Sequence, residues 1–91
     1  MRLQWTASAL ADITRLYDFL APLNQVAAAR TVQSLTTAPN TLLSSPFMGK
    51  PLDEFAPRQV RRLIVGQYEL RYEIVDDVIY ILRLWHTRED R

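Results

Sequence analysis

The chain has no cysteine, which excludes a disulfide framework and thiolate chemistry. Beside that absence, a single histidine, His86, leaves too few ligands for a structural zinc site. No metal is expected, and no residue pattern asks for a cofactor. No apolar run approaches the ~18 residues of a membrane span, and the N-terminus lacks the basic-then-apolar order of a signal peptide. A cytoplasmic protein with no membrane partner fits these absences. A strong excess of either charge is missing too. The formal net charge is +1, with four basic and four acidic groups in residues 1–57 and seven basic and six acidic groups in residues 58–91. That balance argues against non-specific phosphate binding, which needs a dense basic patch. It leaves room for a small cluster of arginines at one place.

What is present amounts to one domain, residues 1–91, with material for one core. The last third organises it. Val60–Val65, Tyr68–Val75 and Val78–Trp85 read as strands joined by Gly66-Gln67 and Asp76-Asp77, links whose first residues tolerate positive backbone angles. In the middle strand Tyr68, Leu70, Tyr72 and Ile74 alternate with Glu69, Arg71 and Glu73. Such a period of two gives a sheet with one buried and one wetter face. Pairing across Asp76-Asp77 sets Ile74 opposite Ile79, Tyr72 opposite Ile81 and Tyr68 opposite Trp85. In this register Tyr68, Tyr72 and Trp85 are core, and Arg62, Glu69, Arg71, Glu73 and Tyr80 share the other face. Arg83 then falls on the apolar face, unless a bulge turns it or it sits at the sheet margin against Asp12 or Asp18.

Upstream, Arg2–Trp5 alternates as a short strand that joins this sheet. Thr6 suits an N-cap, and Leu10, Ile13, Leu16, Tyr17 and Leu20 follow at helical spacing, with Asp12, Arg15 and Asp18 opposite. Pro22 ends that helix. Asn24 caps a second, whose stripe reads Val26, Ala29, Val32 (or Gln33) and Leu35. The short link forces an antiparallel helical hairpin. Pro39 kinks this helix or opens a new turn. Residues 46–59 form the one long connection, pinned by Phe47, Leu52 and Phe55. The expected fold is α+β, in the order β-α-α-β-β-β: an antiparallel sheet of about four strands, packed on one face by an α-helical hairpin.

The order of these elements carries a resemblance. Pro46-x-x-Gly49, Arg62-Leu63 before Gly66-x-Tyr68, Tyr72, and Ile81-Leu82 with His86-x-Arg88 together resemble the RelE/ParE toxin superfamily over nearly the whole chain. The resemblance implies a bacterial toxin of a type II toxin–antitoxin system, neutralised by a small cognate antitoxin in a hetero-oligomer. Within the superfamily the RelE-like branch cuts messenger RNA on the ribosome, whereas the ParE-like branch poisons DNA gyrase. RNA-cutting relatives usually carry arginine in an aromatic-Arg-Leu-x-Tyr run; here that position is Glu69. A carboxylate repels a scissile phosphate that arginine would hold.

The reading is therefore a ParE-like, gyrase-inhibiting binding protein rather than an enzyme. Arg62, Arg71 and Arg88 are its candidate residues for target or antitoxin contact. The alternative is a RelE-like ribosome-dependent endoribonuclease using Arg62, His86 and Arg88, since histidine can move a proton near neutral pH. Against this, a strand-end histidine is commonly a satisfied or solvated group, and Arg62 and Arg71 can make cross-strand ion pairs with Glu69 and Glu73. A third reading is a relative without toxicity that only binds antitoxin.

Overall fold

In a computed structural model that describes residues 1–89, the chain forms five strands and two α-helices. They are β1 (Arg2–Trp5), α1 (Ala7–Leu20), α2 (Gln25–Thr37), β2 (Lys50–Pro51), β3 (Gln59–Val65), β4 (Tyr68–Val75) and β5 (Val78–His86). The sheet order is β1-β5-β4-β3-β2. The three long strands make an antiparallel meander, and Gly66 and Asp76 open its two turns with positive φ. The first strand of the chain pairs with the last, in parallel. That pairing needs a crossover, and the helical hairpin supplies it. The fifth strand is the two-residue β2, which the long connection lays beside β3.

Both caps form. The Thr6 hydroxyl accepts the Ala9 N–H at 3.1 Å and donates to the Ile81 carbonyl at 2.7 Å, so one side chain starts α1 and ties it to β5. Asn24 accepts the Ala27 N–H at 3.0 Å. Pro39 does not kink α2. The helix ends at Thr37 and restarts as a 3-10 helix, Ala38–Leu43, with proline in its first turn. There Pro39 and Leu42 are buried, extending the core past the end of α2. The core joins Leu16, Leu35 and Leu42 to Leu70, Tyr72, Ile79, Ile81 and Leu84. Burying a leucine or isoleucine fully is worth about 1.5–3 kcal/mol, so this cluster is the main favourable term.

Three sequence expectations need correction. The buried stripe of α2 is Ala28 and Leu35, while Val26 is 61% exposed; the helix is rotated from the expected face so that small Ala28 meets its neighbours. In α1 the buried set is Ala9, Asp12 and Leu16, and Leu10 points outward. Asp12 belongs inside because Arg83 and the Leu84 N–H meet it there. Third, the β4–β5 register slips at Arg71/Tyr72. Leu82 is the extra residue, so Tyr68 lies opposite His86 and Glu69 opposite Trp85. A one-residue slip moves every later side chain to the other face. Trp85 is buried, but on the face away from the helices.

Candidate target-binding face

Leu70 and Tyr72 pack in the core under the helices, so Glu69, Arg71 and Glu73 face away from them. Register adds the neighbours: Arg62 opposite Arg71, Ile64 opposite Glu69, and Val60 opposite Glu73 on β3, with Trp85 opposite Glu69 and Arg83 opposite Arg71 on β5. The segment between β2 and β3 crosses back over this face through a 3-10 turn, Asp53–Phe55. It sets the Phe55 ring 5.1 Å from the Arg71 guanidinium, which has the Trp85 ring at 4.8 Å. Arg58 approaches the same Phe55 ring at 5.9 Å. The result is a ladder, Arg58–Phe55–Arg71–Trp85, alternating cation and aromatic ring. The two contacts of the partly buried Arg71 contribute about 0.5–2 kcal/mol each.

Carboxylates stand between the cations. Glu69 is 2% exposed, with Arg62 at 3.7 Å and Arg71 at 3.9 Å. Glu73 receives two hydrogen bonds from Arg58, at 2.9 and 2.8 Å. Those bonds hold its carboxyl below the usual range, against the opposing pull of burial. Positive and negative groups therefore interleave across the face.

Arg62 and Arg71 are thus brought together, as adjacent partners. His86 and Arg88 are not brought to them. His86 pairs with Tyr68 on the helix-facing side, and their rings meet edge-on at 5.2 Å. Nδ1 of His86 accepts the Arg88 N–H at 3.1 Å, which leaves the ring proton on Nε2, facing the Gln67 side-chain oxygen at 3.2 Å. Arg15 reaches from α1 to Glu89 at 3.0 Å, and the same carboxylate oxygen accepts the His86 N–H. His86 and Arg88 line an open cleft of ≈ 450 Å³ with Leu16, Phe19, Leu20 and Leu23 of the hairpin. The set Arg62, His86 and Arg88 is accordingly divided between two faces.

Sequence reading missed Phe55, Arg58 and Trp85 as members of this face. Phe55 was legible as an anchor of the long connection, but not which arginine it covers. Trp85 was hidden by the bulge.

A five-stranded sheet backed on one side by a helical hairpin is the architecture of RelE/ParE-type toxins. Residues 3–91 match the family described as ParE toxin of type II toxin–antitoxin system, parDE, and the chain belongs to that family. It is similar to Toxin RelE2 of Caulobacter vibrioides, at 34% identity over 84 residues and 91% of each chain. It also superimposes on a chain of the chromosomal ParDE TA system from P. aeruginosa, with a TM-score of 0.80, 26% identity, and 94% and 95% of the two chains covered. The protein is a toxin component of a type II toxin–antitoxin system.

Proposed function

We propose that this toxin acts by binding DNA gyrase, without turnover of its own, and that a cognate antitoxin neutralises it. The observation that carries the reading is Glu69, a buried carboxylate between Arg62 and Arg71. Before the arginines offset it, a unit charge about 4 Å from such a carboxylate feels roughly 4 kcal/mol of repulsion at an effective dielectric near 20. A phosphate undergoing cleavage is poorly served there. The one histidine supports the same conclusion, since both ring nitrogens are engaged and it stands on the far side of the sheet from the arginines. A general base must lie within hydrogen-bond reach of its proton. Arg62 on one face and Arg88 at the cleft are the proposed contact residues for partners, and Arg71 supports that role by anchoring the ladder.

The test is purified toxin in a gyrase supercoiling assay, alongside transcript mapping after induced expression. Inhibited supercoiling with intact messages upholds the reading. The RelE name of the Caulobacter relative favours one rival, ribosome-dependent cleavage, and cuts inside ribosome-bound messages would establish it instead. Neither effect, with growth unaltered, would leave a non-toxic antitoxin-binding relative.

A further inference from the structure

Strand register sets four basic side chains in one row across the sheet. Lys50 on β2 pairs with Arg62 on β3, Arg62 with Arg71 on β4, and Arg71 with Arg83 on β5. Neighbouring strands stand about 4.8 Å apart, and like charges directly opposite destabilise a sheet. Each cation therefore needs compensation, and the row is compensated unevenly.

At the β4–β5 end each cation has close partners beyond Glu69. Arg71 lies between the Phe55 and Trp85 rings, and Arg83 holds Asp12 through two hydrogen bonds. At the β2–β3 end it is thin. Among the described residues the nearest carboxylate to Arg62 is Glu69 at 3.7 Å, beyond hydrogen-bond distance. The Lys50 side chain is exposed and makes no ion pair or hydrogen bond among the described residues. Two positions beyond Arg62, on the same face, Ile64 is 51% exposed. Because β2 stops opposite Arg62, no described strand covers the β3 edge beside Ile64.

We propose that Lys50, Arg62 and Ile64 form a recognition surface for an acidic polypeptide segment, which places a carboxylate between the two cations and an apolar side chain on Ile64. Charge complementarity identifies the carboxylate, and charge-assisted bonds to arginine are the strong kind. Nucleic acid fits less well. Its evenly spaced phosphates would meet Glu69 and Glu73 on the same face and would gain nothing from Ile64. A peptide can present one acid where the cations stand and an apolar group at the next contact. This surface is defined whether or not gyrase is the target, so a negative supercoiling assay leaves it standing.

The test is fluorescence anisotropy with two labelled probes: a short peptide alternating glutamate and leucine, and single-stranded DNA of equal formal charge. The intact chain binds the peptide more tightly than the DNA. The double variant Lys50→Ala/Arg62→Ala weakens peptide binding about tenfold, the product of two exposed ion pairs. Ile64→Ser weakens it further, and Arg30→Ala on α2 leaves it unchanged. Thermal unfolding of each variant reports whether the fold is kept. Should the double variant fail to fold, a lysine–leucine peptide on the intact chain gives the same discrimination, and it must fail to bind. Tighter binding of DNA, peptide affinity indifferent to the double variant, or no peptide binding at all overturns the proposal.

Discussion

Arg83 donates two hydrogen bonds to the Asp12 carboxylate, at 2.8 and 3.2 Å, and the adjacent Leu84 N–H adds a third at 2.9 Å. The contact joins α1 to the stretch of β5 that lies beyond β1, where no described strand pairs with it. The bulge at Leu82 and the buried acid are thus parts of one arrangement. The bulge brings Arg83 opposite Arg71, and Asp12 offsets the charge that results.

Acid sensitivity follows from this pair. Burial pushes the Asp12 carboxyl up, but the bonds from Arg83 and Leu84 and the charges of Arg83 and Arg15 outweigh it, so its pKa is lowered. A carboxylate with a lowered folded pKa contributes stability that is fully present above the unfolded value, about 3.9. That contribution is lost as pH falls through the folded value. Urea unfolding between about pH 6 and pH 2 should show stability falling in this window, and the fall should be shallower in Asp12→Asn. Asp12→Ala, which leaves the buried Leu84 N–H without its acceptor while the half-exposed Arg83 regains water, should cost about 1–3 kcal/mol at neutral pH.

The Tyr72 hydroxyl joins the long connection to the core. It accepts the Gly49 N–H at 3.0 Å and donates to the Pro46 carbonyl at 2.8 Å, while Arg61 donates to the Phe47 and Gly49 carbonyls. Tyr72→Phe should lower stability by about 1–3 kcal/mol, the cost of leaving buried polar groups unpaired. Gly49→Ala should be at least as severe. A Cβ there would lie 2.6 Å from both the Arg62 carbonyl oxygen and the Tyr72 hydroxyl, and backbone cannot yield as a side chain can. Thermal unfolding of the two variants checks both figures.

The same residues show how far sequence could be read. The meander, both turns and both helix caps were legible because period, glycine and cap chemistry are local properties of the chain. Pro46-x-x-Gly49 and Tyr72 were recognisable as a pattern, yet only the fold shows that they touch. Trp85, Arg83 and Asp12 were misplaced or left open for one reason. A single inserted residue at Leu82 carries no local signature, and it reassigns every side chain after it. The true stripe of α2 was obscured differently: Ala27, Ala28 and Ala29 offer three equivalent small faces, and only packing chooses among them. The split of Arg62 from His86 followed from faces, which the strand alternation alone could not settle past the bulge.

Phe55 holds the β2–β3 segment over the sheet through Arg71 and Arg58. Phe55→Ala removes both cation–π contacts and the partial burial of the ring, a loss of about 1–3 kcal/mol. The effect should be local. Hydrogen exchange should accelerate at the Ala56 and Arg58 amides, which bond to Asp53 and Phe55 carbonyls, while amides in the β4–β5 ladder keep their protection. Uniform acceleration across the sheet would show instead that the ladder supports the whole fold.

His86 separates the two modes of toxicity. Asparagine at this position can keep an acceptor for the Arg88 N–H, which His86 Nδ1 provides at 3.1 Å, but it cannot exchange a proton near neutral pH. If gyrase binding is the toxic act, His86→Asn should still arrest growth and inhibit supercoiling, weakened no more than a few-fold, because asparagine keeps the bond that holds the Arg88 backbone at the cleft. If messenger cleavage is the act and His86 moves the proton, the same change should reduce cleavage about 10²–10⁴-fold. The variant should be compared with Glu69→Gln, which removes the negative charge between Arg62 and Arg71. Under the gyrase reading Glu69→Gln loosens the two arginines and lowers stability without creating RNA cleavage. Cleavage that appears in Glu69→Gln would mean that this one carboxylate is what keeps the face from acting on phosphate.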